Sequence, residues 1–108
     1  MTKSILWLVI LSISNLLSQN IQTPLEVSNF TKLTSHEELK QFIKESDEQS
    51  DLIKSEVLTQ SIEGRELYTV YFSKGEFGKD ERKIKVLIFA QQHGNEQSGK
   101  EGALLLIQ

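Results

Sequence analysis

The first helical pattern in the chain begins at Ser35. Three apolar residues follow it at helical spacing and would share one face: Leu39, Phe42 and Ile43. Ser35 and Glu38 have the spacing of a capping box, in which the serine oxygen accepts from a free backbone N–H and the glutamate reaches back to the cap. We therefore predict a helix that starts at Ser35 and gives way to a solvated acidic turn over residues 45–51.

Two strand-like segments follow this helix. Residues 57–61 and 66–73 are rich in β-branched and aromatic side chains, and Gly64 lies between them. Glycine adopts the backbone conformations of a tight turn at little steric cost. The pattern predicts a β-hairpin whose register stays open, because the apolar residues of the second segment do not alternate strictly with polar ones.

A charged surface loop over residues 74–83 leads to the almost continuously apolar segment Ile84–Ala90. Such a run indicates a central strand that is covered on both faces. Residues 97–107 then have the pattern of the opening of a helix, although two glycines weaken it. This order of elements predicts an α/β fold, an incomplete mixed-sheet α/β/α sandwich. A central strand needs neighbours on both sides, so we expect residues 33–108 to be the first part of a larger domain.

The start of the chain has a different pattern. Lys3 precedes a short apolar run, Ile5–Leu11, which fades into small and polar residues. This order is typical of a signal peptide, and the run is shorter than the roughly 20 apolar residues that cross a membrane. We predict a signal peptide over about residues 1–18 and a secreted or periplasmic protein that leaves the membrane after cleavage; an uncleaved anchor or a buried helix is the alternative. Residues 19–32, with the only proline, are predicted to be an extended lead-in.

Composition narrows the classes of function. The 108 residues are 38% hydrophobic and 25% charged, as in an ordinary soluble domain, and leave room for one domain at most. The net charge of -3 provides no basic surface for a nucleic acid, so we expect no nucleic-acid partner. The sequence has no cysteine, which excludes disulfides, a thiolate zinc site and a cysteine nucleophile. Any metal must therefore be bound by nitrogen and oxygen.

The residues with the most specific chemistry lie in the loop 91–96, directly after the predicted strand. Ligands of open α/β sheets gather beyond the carboxyl ends of strands. His93 and Glu96, with the flexible Gly94 between them, would offer one nitrogen and one or two oxygens to Zn²⁺. A catalytic zinc also needs a third protein ligand, and the only other histidine, His36, lies in the capping box, where we expect it to face solvent. The alternative is a polar loop in which His93 caps the following helix.

Three segments, in the same order, resemble the zinc carboxypeptidase family, peptidase family M14, which contains carboxypeptidase A and its bacterial relatives. Leu33–Leu39 resembles the opening helix of the family, Ser61–Leu67 its Gly-Arg hairpin turn, and Lys85–Glu101 its first zinc motif. The sequence His-Gly-Asn-Glu over residues 93–96 resembles the bacterial branch. The same four residues also occur in related deacylases that remove acyl groups from amino acids.

The resemblance implies an α/β/α sandwich of the zinc carboxypeptidase type that hydrolyses the C-terminal peptide bond of a peptide or protein substrate. It implies a Zn²⁺ cofactor held by His93, Glu96 and a second histidine beyond this sequence. The general base is also expected beyond this sequence. We therefore expect this stretch to be inactive alone. Arg65 matches the hairpin turn, so we expect it to be structural, and Gly94 and Asn95 are expected to shape the loop.

Two other functions remain open at this stage. A deacylase of N-acyl amino acids would share the fold, but export, the opening helix and the Gly-Arg turn favour the peptidase. A non-catalytic binding or cell-wall module would keep the fold without the chemistry. The presence of both His93 and Glu96 argues against that loss.

Overall fold

The computed structural model describes residues 21–108, so the predicted signal peptide lies outside the described residues. The elements in chain order are α1 (Pro24–Val27), α2 (His36–Gln49), β1 (Ile53–Gln60), β2 (Glu66–Phe72) and α3 (Gln97–Ile107). The two strands form an antiparallel sheet, which confirms a mixed α/β composition but is only part of the predicted sandwich. No helix within residues 21–108 has the length and apolar character that a membrane crossing requires.

α1 lies inside the segment that was predicted to be extended. The hydroxyl of Thr23 accepts from the N–H of Glu26 at 3.3 Å, and the Glu26 carboxylate accepts from the N–H of Thr23 at 2.9 Å. Pro24 occupies the first turn, where a helix needs no N–H donor from it. The prediction is wrong for these residues because a proline that follows a capping threonine starts a helix as readily as it interrupts one.

α2 begins where its capping box predicts. The hydroxyl of Ser35 accepts from the N–H of Glu38 at 3.3 Å, and the N–H of Ser35 donates to the Glu38 carboxylate at 2.8 Å. The helix continues to Gln49, through residues that were predicted to form a turn. Asp47 in this last part accepts from the backbone N–H of Ser55 in β1 at 2.6 Å. A tertiary contact therefore extends the helix beyond its amphipathic pattern.

The predicted hairpin is confirmed, and its register contains one irregularity. Val57 pairs with Tyr68 and Thr59 pairs with Leu67, so Leu58 is an extra residue in β1. The bulge changes the pairing of the two strands by one residue within β1, a register that the sequence pattern left open. Gly64 has a φ of 77° in the turn, a conformation that favours glycine.

The core of the described residues is small: α2 packs against β1, and α3 is attached to the segment before α2 through Thr34. Its buried apolar residues come from three elements: Phe42, Ile43, Ile53 and Leu104. Leu104 is 2% exposed, although α3 is separated from α2 by nearly fifty residues of sequence. Lys100 and Glu101 are buried as well, so one side of α3 is packed against the rest of the described residues, and this packing places the loop that precedes α3.

The segment 84–90 differs most from its prediction. It is not a strand, and its large apolar side chains are exposed, Ile84 to 91% and Phe89 to 80%. A strand requires a neighbour that satisfies its backbone N–H and C=O groups, and neither β1 nor β2 pairs with this segment. The prediction of a buried central strand is wrong for this structure. The apolar pattern favours a buried strand, but burial requires neighbouring strands, and none among the described residues pairs with this segment.

Candidate metal centre

The loop 91–96 connects the exposed segment 84–90 to α3. Gln91 has a φ of 54°, a left-handed conformation that turns the chain at the entry to the loop. Gly99, in the first turn of α3, lies close to this point, since a Cβ atom there would be 3.3 Å from the backbone nitrogen of Gln91. The small residue lets the helix approach the loop, so the loop folds back over the start of α3.

His93 and Glu96 meet inside this loop. The Nδ1 atom of His93 lies 2.8 Å from Oε1 of Glu96, and the backbone N–H of His93 donates to Oε2 of Glu96 at 3.3 Å. The N–H of Glu96 donates back to the carbonyl of His93 at 3.1 Å, which closes the turn. The structure therefore brings together the two residues that the sequence singled out. Their side chains are 67% and 50% exposed.

The carbonyl of Gly94, at the tip of this turn, is held by two side-chain amides. Nε2 of Gln97 donates to it at 2.8 Å, and Nε2 of Gln91 donates to it at 3.3 Å. The two donors stand on either side of the turn, one at its entry and one at the start of α3. Both ligand candidates therefore sit on a short segment whose middle is fixed from two directions.

His93 does not cap the following helix. Its Nδ1 atom contacts the Glu96 carboxylate, and the N-cap position of α3 is Glu96 itself, whose side chain makes no capping bond. The contact is a hydrogen bond in the imidazole tautomer with its proton on Nδ1, because a carboxylate only accepts hydrogen bonds. The interpretation of this loop as a mere helix cap is therefore not what the structure shows.

The chemistry of the pair fits two corners of a zinc site. Zinc binds imidazole nitrogen and carboxylate oxygen at about 2.0–2.2 Å, so two such donors of a tetrahedral ion lie roughly 3.4 Å apart. The observed 2.8 Å contact would have to open by roughly 0.6 Å to match this separation, which exposed side chains can do without disturbing a core. No group of three or more potential metal ligands occurs among residues 21–108.

His36 is not the solvent-facing residue that was predicted. Its Nε2 atom donates to the backbone carbonyl of Glu66 in β2 at 2.9 Å, and the side chain is only 28% exposed. The first turn of α2 lies alongside β2, which the capping pattern alone does not reveal. His36 is therefore a structural link between helix and hairpin.

Arg65 lies in the hairpin turn, as its match to the Gly-Arg turn led us to expect. Its guanidinium pairs with Glu63, and its backbone N–H donates to the hydroxyl of Ser61 at 3.2 Å. The carbonyl of Arg65 accepts from the N–H of Ser61 at 2.8 Å. These contacts give Arg65 a local role in the turn.

Sequence reasoning missed a buried polar network next to the loop. Glu101 accepts from the backbone N–H of Thr34 at 2.8 Å and from its hydroxyl at 2.7 Å. Lys100 donates to the carbonyl of Thr34 and lies 3.4 Å from Glu101, with side chains that are only 10% and 7% exposed. The signal in the sequence was an adjacent lysine and glutamate between two glycines, at the start of an otherwise apolar helix.

Comparison with protein families gives a match to the family described as zinc carboxypeptidase, over residues 39–108. No curated protein and no solved structure matches the chain. The matched stretch is well over half of the chain and contains most of α2, the hairpin, the loop 91–96 and α3. Both His93 and Glu96 fall inside it.

Proposed function

The chain belongs to the zinc carboxypeptidase family, and from that premise we propose that His93 and Glu96 are two of the three protein ligands of Zn²⁺ in a metallocarboxypeptidase. The observation that carries the proposal is the 2.8 Å contact between Nδ1 of His93 and Oε1 of Glu96. It places a nitrogen and an oxygen donor at one point of an accessible loop. The family is one of hydrolases, and the substrate class that it implies is a peptide.

When bound, zinc supplies a Lewis acid that polarises the scissile carbonyl and activates a water molecule. The contribution of this chain is to present the two donors together. The N–H of His93 donates to Oε2 of Glu96, which fixes the carboxylate against the loop. Oε1 of the same carboxylate then lies next to the imidazole. Zn²⁺ binds a ring nitrogen that carries no proton, so a metal held at Nδ1 would require the imidazole tautomer with its proton on Nε2.

A catalytic zinc takes three protein ligands and keeps one open position. Because residues 21–108 bring no third ligand to His93 and Glu96, we place the third ligand and the general base outside this part of the chain.

We also propose export, on the strength of the apolar run near the N-terminus. N-terminal analysis of the extracellular form tests it, with a mature start near Gln19 as the expected result and an intact Met1 as the opposing one.

The test of the proposed function uses the product of the complete open reading frame that contains these residues. We expect stoichiometric zinc and a release of C-terminal amino acids from peptides that a chelator abolishes and zinc restores. His93→Gln removes a ligand and abolishes this activity. His36→Gln is the matched control, because glutamine keeps an N–H for the carbonyl of Glu66.

Two results would overturn the proposal. Release of C-terminal residues that persists in His93→Gln with unchanged zinc content would remove His93 from the site. Hydrolysis of N-acyl amino acids without hydrolysis of peptides would keep the metal site but replace the substrate class with that of a deacylase.

A further inference from the structure

Gln97, the first residue of α3, connects the metal loop to the buried network, and both ends of its side-chain amide are used. Nε2 donates to the carbonyl of Gly94 at 2.8 Å, and Oε1 accepts from the ammonium group of Lys100 at 2.9 Å. Only one orientation of the amide satisfies both partners, because the flipped amide would place NH₂ against the ammonium group and oxygen against the carbonyl. Lys100 therefore sets the direction in which Gln97 points its donor.

The other end of this connection is anchored in the protein. Lys100 is buried, its ammonium group also donates to the carbonyl of Thr34, and it lies 3.4 Å from the carboxylate of Glu101. Glu101 in turn accepts two hydrogen bonds from Thr34. A continuous set of polar contacts thus leads from the residue before the cap of α2, through Lys100 and Gln97, to the tip of the loop.

The tip of the loop lies between the two ligand candidates. Besides the contacts between His93 and Glu96 themselves, the turn is held at the carbonyl of Gly94, and Gln97 is the nearer of its two donors. Groups that orient metal ligands from behind contribute to metal affinity because they fix the donors before the metal arrives. We infer that Gln97 is a positioning residue for the zinc ligands and that Lys100 orients it, a role that rests on the proposed zinc site.

The experiment compares the wild-type chain with Gln97→Leu, which removes both amide contacts, and with Gln97→Glu, which keeps an acceptor for Lys100 but loses the donor to Gly94. Gln92→Leu is the matched control: Gln92 is exposed in the same loop and makes no hydrogen bond within the described residues. The first readout needs no metal. It is the hydrogen exchange of the Glu96 amide, which donates to the carbonyl of His93.

We expect the Glu96 amide to exchange roughly tenfold faster in Gln97→Leu and in Gln97→Glu, the effect of losing about one hydrogen bond. The amide of Leu39, which donates to Ser35 in α2, keeps its rate and reports that the fold is intact. The second readout is a zinc titration followed through the amide resonances of residues 91–97. Gln97→Leu should weaken zinc binding about tenfold or more, and Gln92→Leu should not.

Unchanged exchange at Glu96 in Gln97→Leu would overturn the inference while zinc-induced shifts in the wild type still supported the zinc site. Slow exchange in Gln97→Glu would mean that the contact with Lys100 is sufficient and the donor to Gly94 is not required. That result would also overturn the inference. Faster exchange with unchanged zinc affinity would reduce Gln97 to a local structural contact. If the wild type shows no zinc-induced shift at His93 and Glu96, the zinc site itself fails, and the positioning role fails with it.

Discussion

Glu101 accepts two hydrogen bonds from Thr34, one from the backbone N–H at 2.8 Å and one from the hydroxyl at 2.7 Å. Both residues are buried, at 5% and 3% exposure, and they join α3 to the segment that leads into α2. The buried carboxylate has little access to water as a substitute donor. The contact between Thr34 and Glu101 is therefore a principal attachment of the helix that follows the metal loop.

Replacing Thr34 by valine should destabilise the chain, because it leaves the Glu101 carboxylate without its hydroxyl donor in a buried place. We expect a loss of roughly 1–3 kcal/mol in the free energy of unfolding, measured in urea. Thr31→Val is the matched control: its hydroxyl is exposed and donates to Ser28, so its cost should stay within about 0.5 kcal/mol. Equal effects of the two substitutions would show that the buried contact contributes nothing particular.

The capping box of α2 should make stability depend on acid. The ammonium group of Lys32, at 2.7 Å, together with the hydroxyl and N–H of Ser35, lowers the pKa of Glu38 from 4.5 to about 2. Because the pKa is lower in the folded state, the stabilisation is complete above about pH 4.5 and is lost as the pH falls towards 2. The urea midpoint of the wild type should therefore exceed that of Glu38→Gln at pH 7, and the two should converge near pH 2.

Glu48→Gln is the control for this pH experiment, since Glu48 lies near the other end of α2 and its ion pair within residues 21–108 is an exposed one with Lys44 at 3.8 Å. Its midpoint should follow that of the wild type over the whole range. A difference between the wild type and Glu38→Gln that persisted unchanged at pH 2 would contradict the assignment of the effect to the Glu38 carboxylate.

Two glycines should respond to alanine with opposite signs. Gly64 has a φ of 77° in the hairpin turn, so Gly64→Ala should cost about 1–2 kcal/mol although no atom lies within 4 Å of the added methyl group. Gly102 lies in the helical backbone of α3 with open space around it, so Gly102→Ala should stabilise the chain by about 0.5–1 kcal/mol. Thermal unfolding of the two variants decides the point, and stabilisation by both would argue against the turn conformation.

The exposed apolar segment 84–90 should cause self-association. Val86 and Ile88 are 72% and 61% exposed, and their backbone pairs with neither strand. Exposed apolar segments with free backbone groups are sites of intermolecular strand pairing. Light scattering should rise with concentration in the wild type and fall in the double variant Val86→Lys, Ile88→Lys. Leu58→Lys, which replaces one exposed leucine in the hairpin, should leave the scattering of the wild type nearly unchanged.

The predictions that the structure confirms concern residues that lie close together in the sequence. The capping box at Ser35, the turn at Gly64 and the pairing of His93 with Glu96 depend on residues a few positions apart, and the structure shows all three. The chemical role of His93 and Glu96 as ligands stays a prediction, since proximity does not by itself establish metal binding.

Features that depend on distant residues were not predicted correctly. The contact of His36 with β2 and the contact of Thr34 with Glu101 join positions 30 and 67 residues apart, and no local pattern encodes them. The strand predicted at 84–90 failed for the related reason that a strand is defined by its neighbours. In each case the local composition indicated that a residue is apolar or polar. Its partner in the fold depends on distant residues that the local pattern does not specify.

The most direct test of the central claim is a zinc titration of the 108-residue chain, followed residue by residue through its amide resonances and run below the concentration at which the chain associates. We predict shifts centred on His93 and Glu96, and their disappearance in His93→Gln but not in His36→Gln. Shifts that persist in His93→Gln, or that centre on His36, would contradict the claim that His93 and Glu96 form the zinc-binding pair.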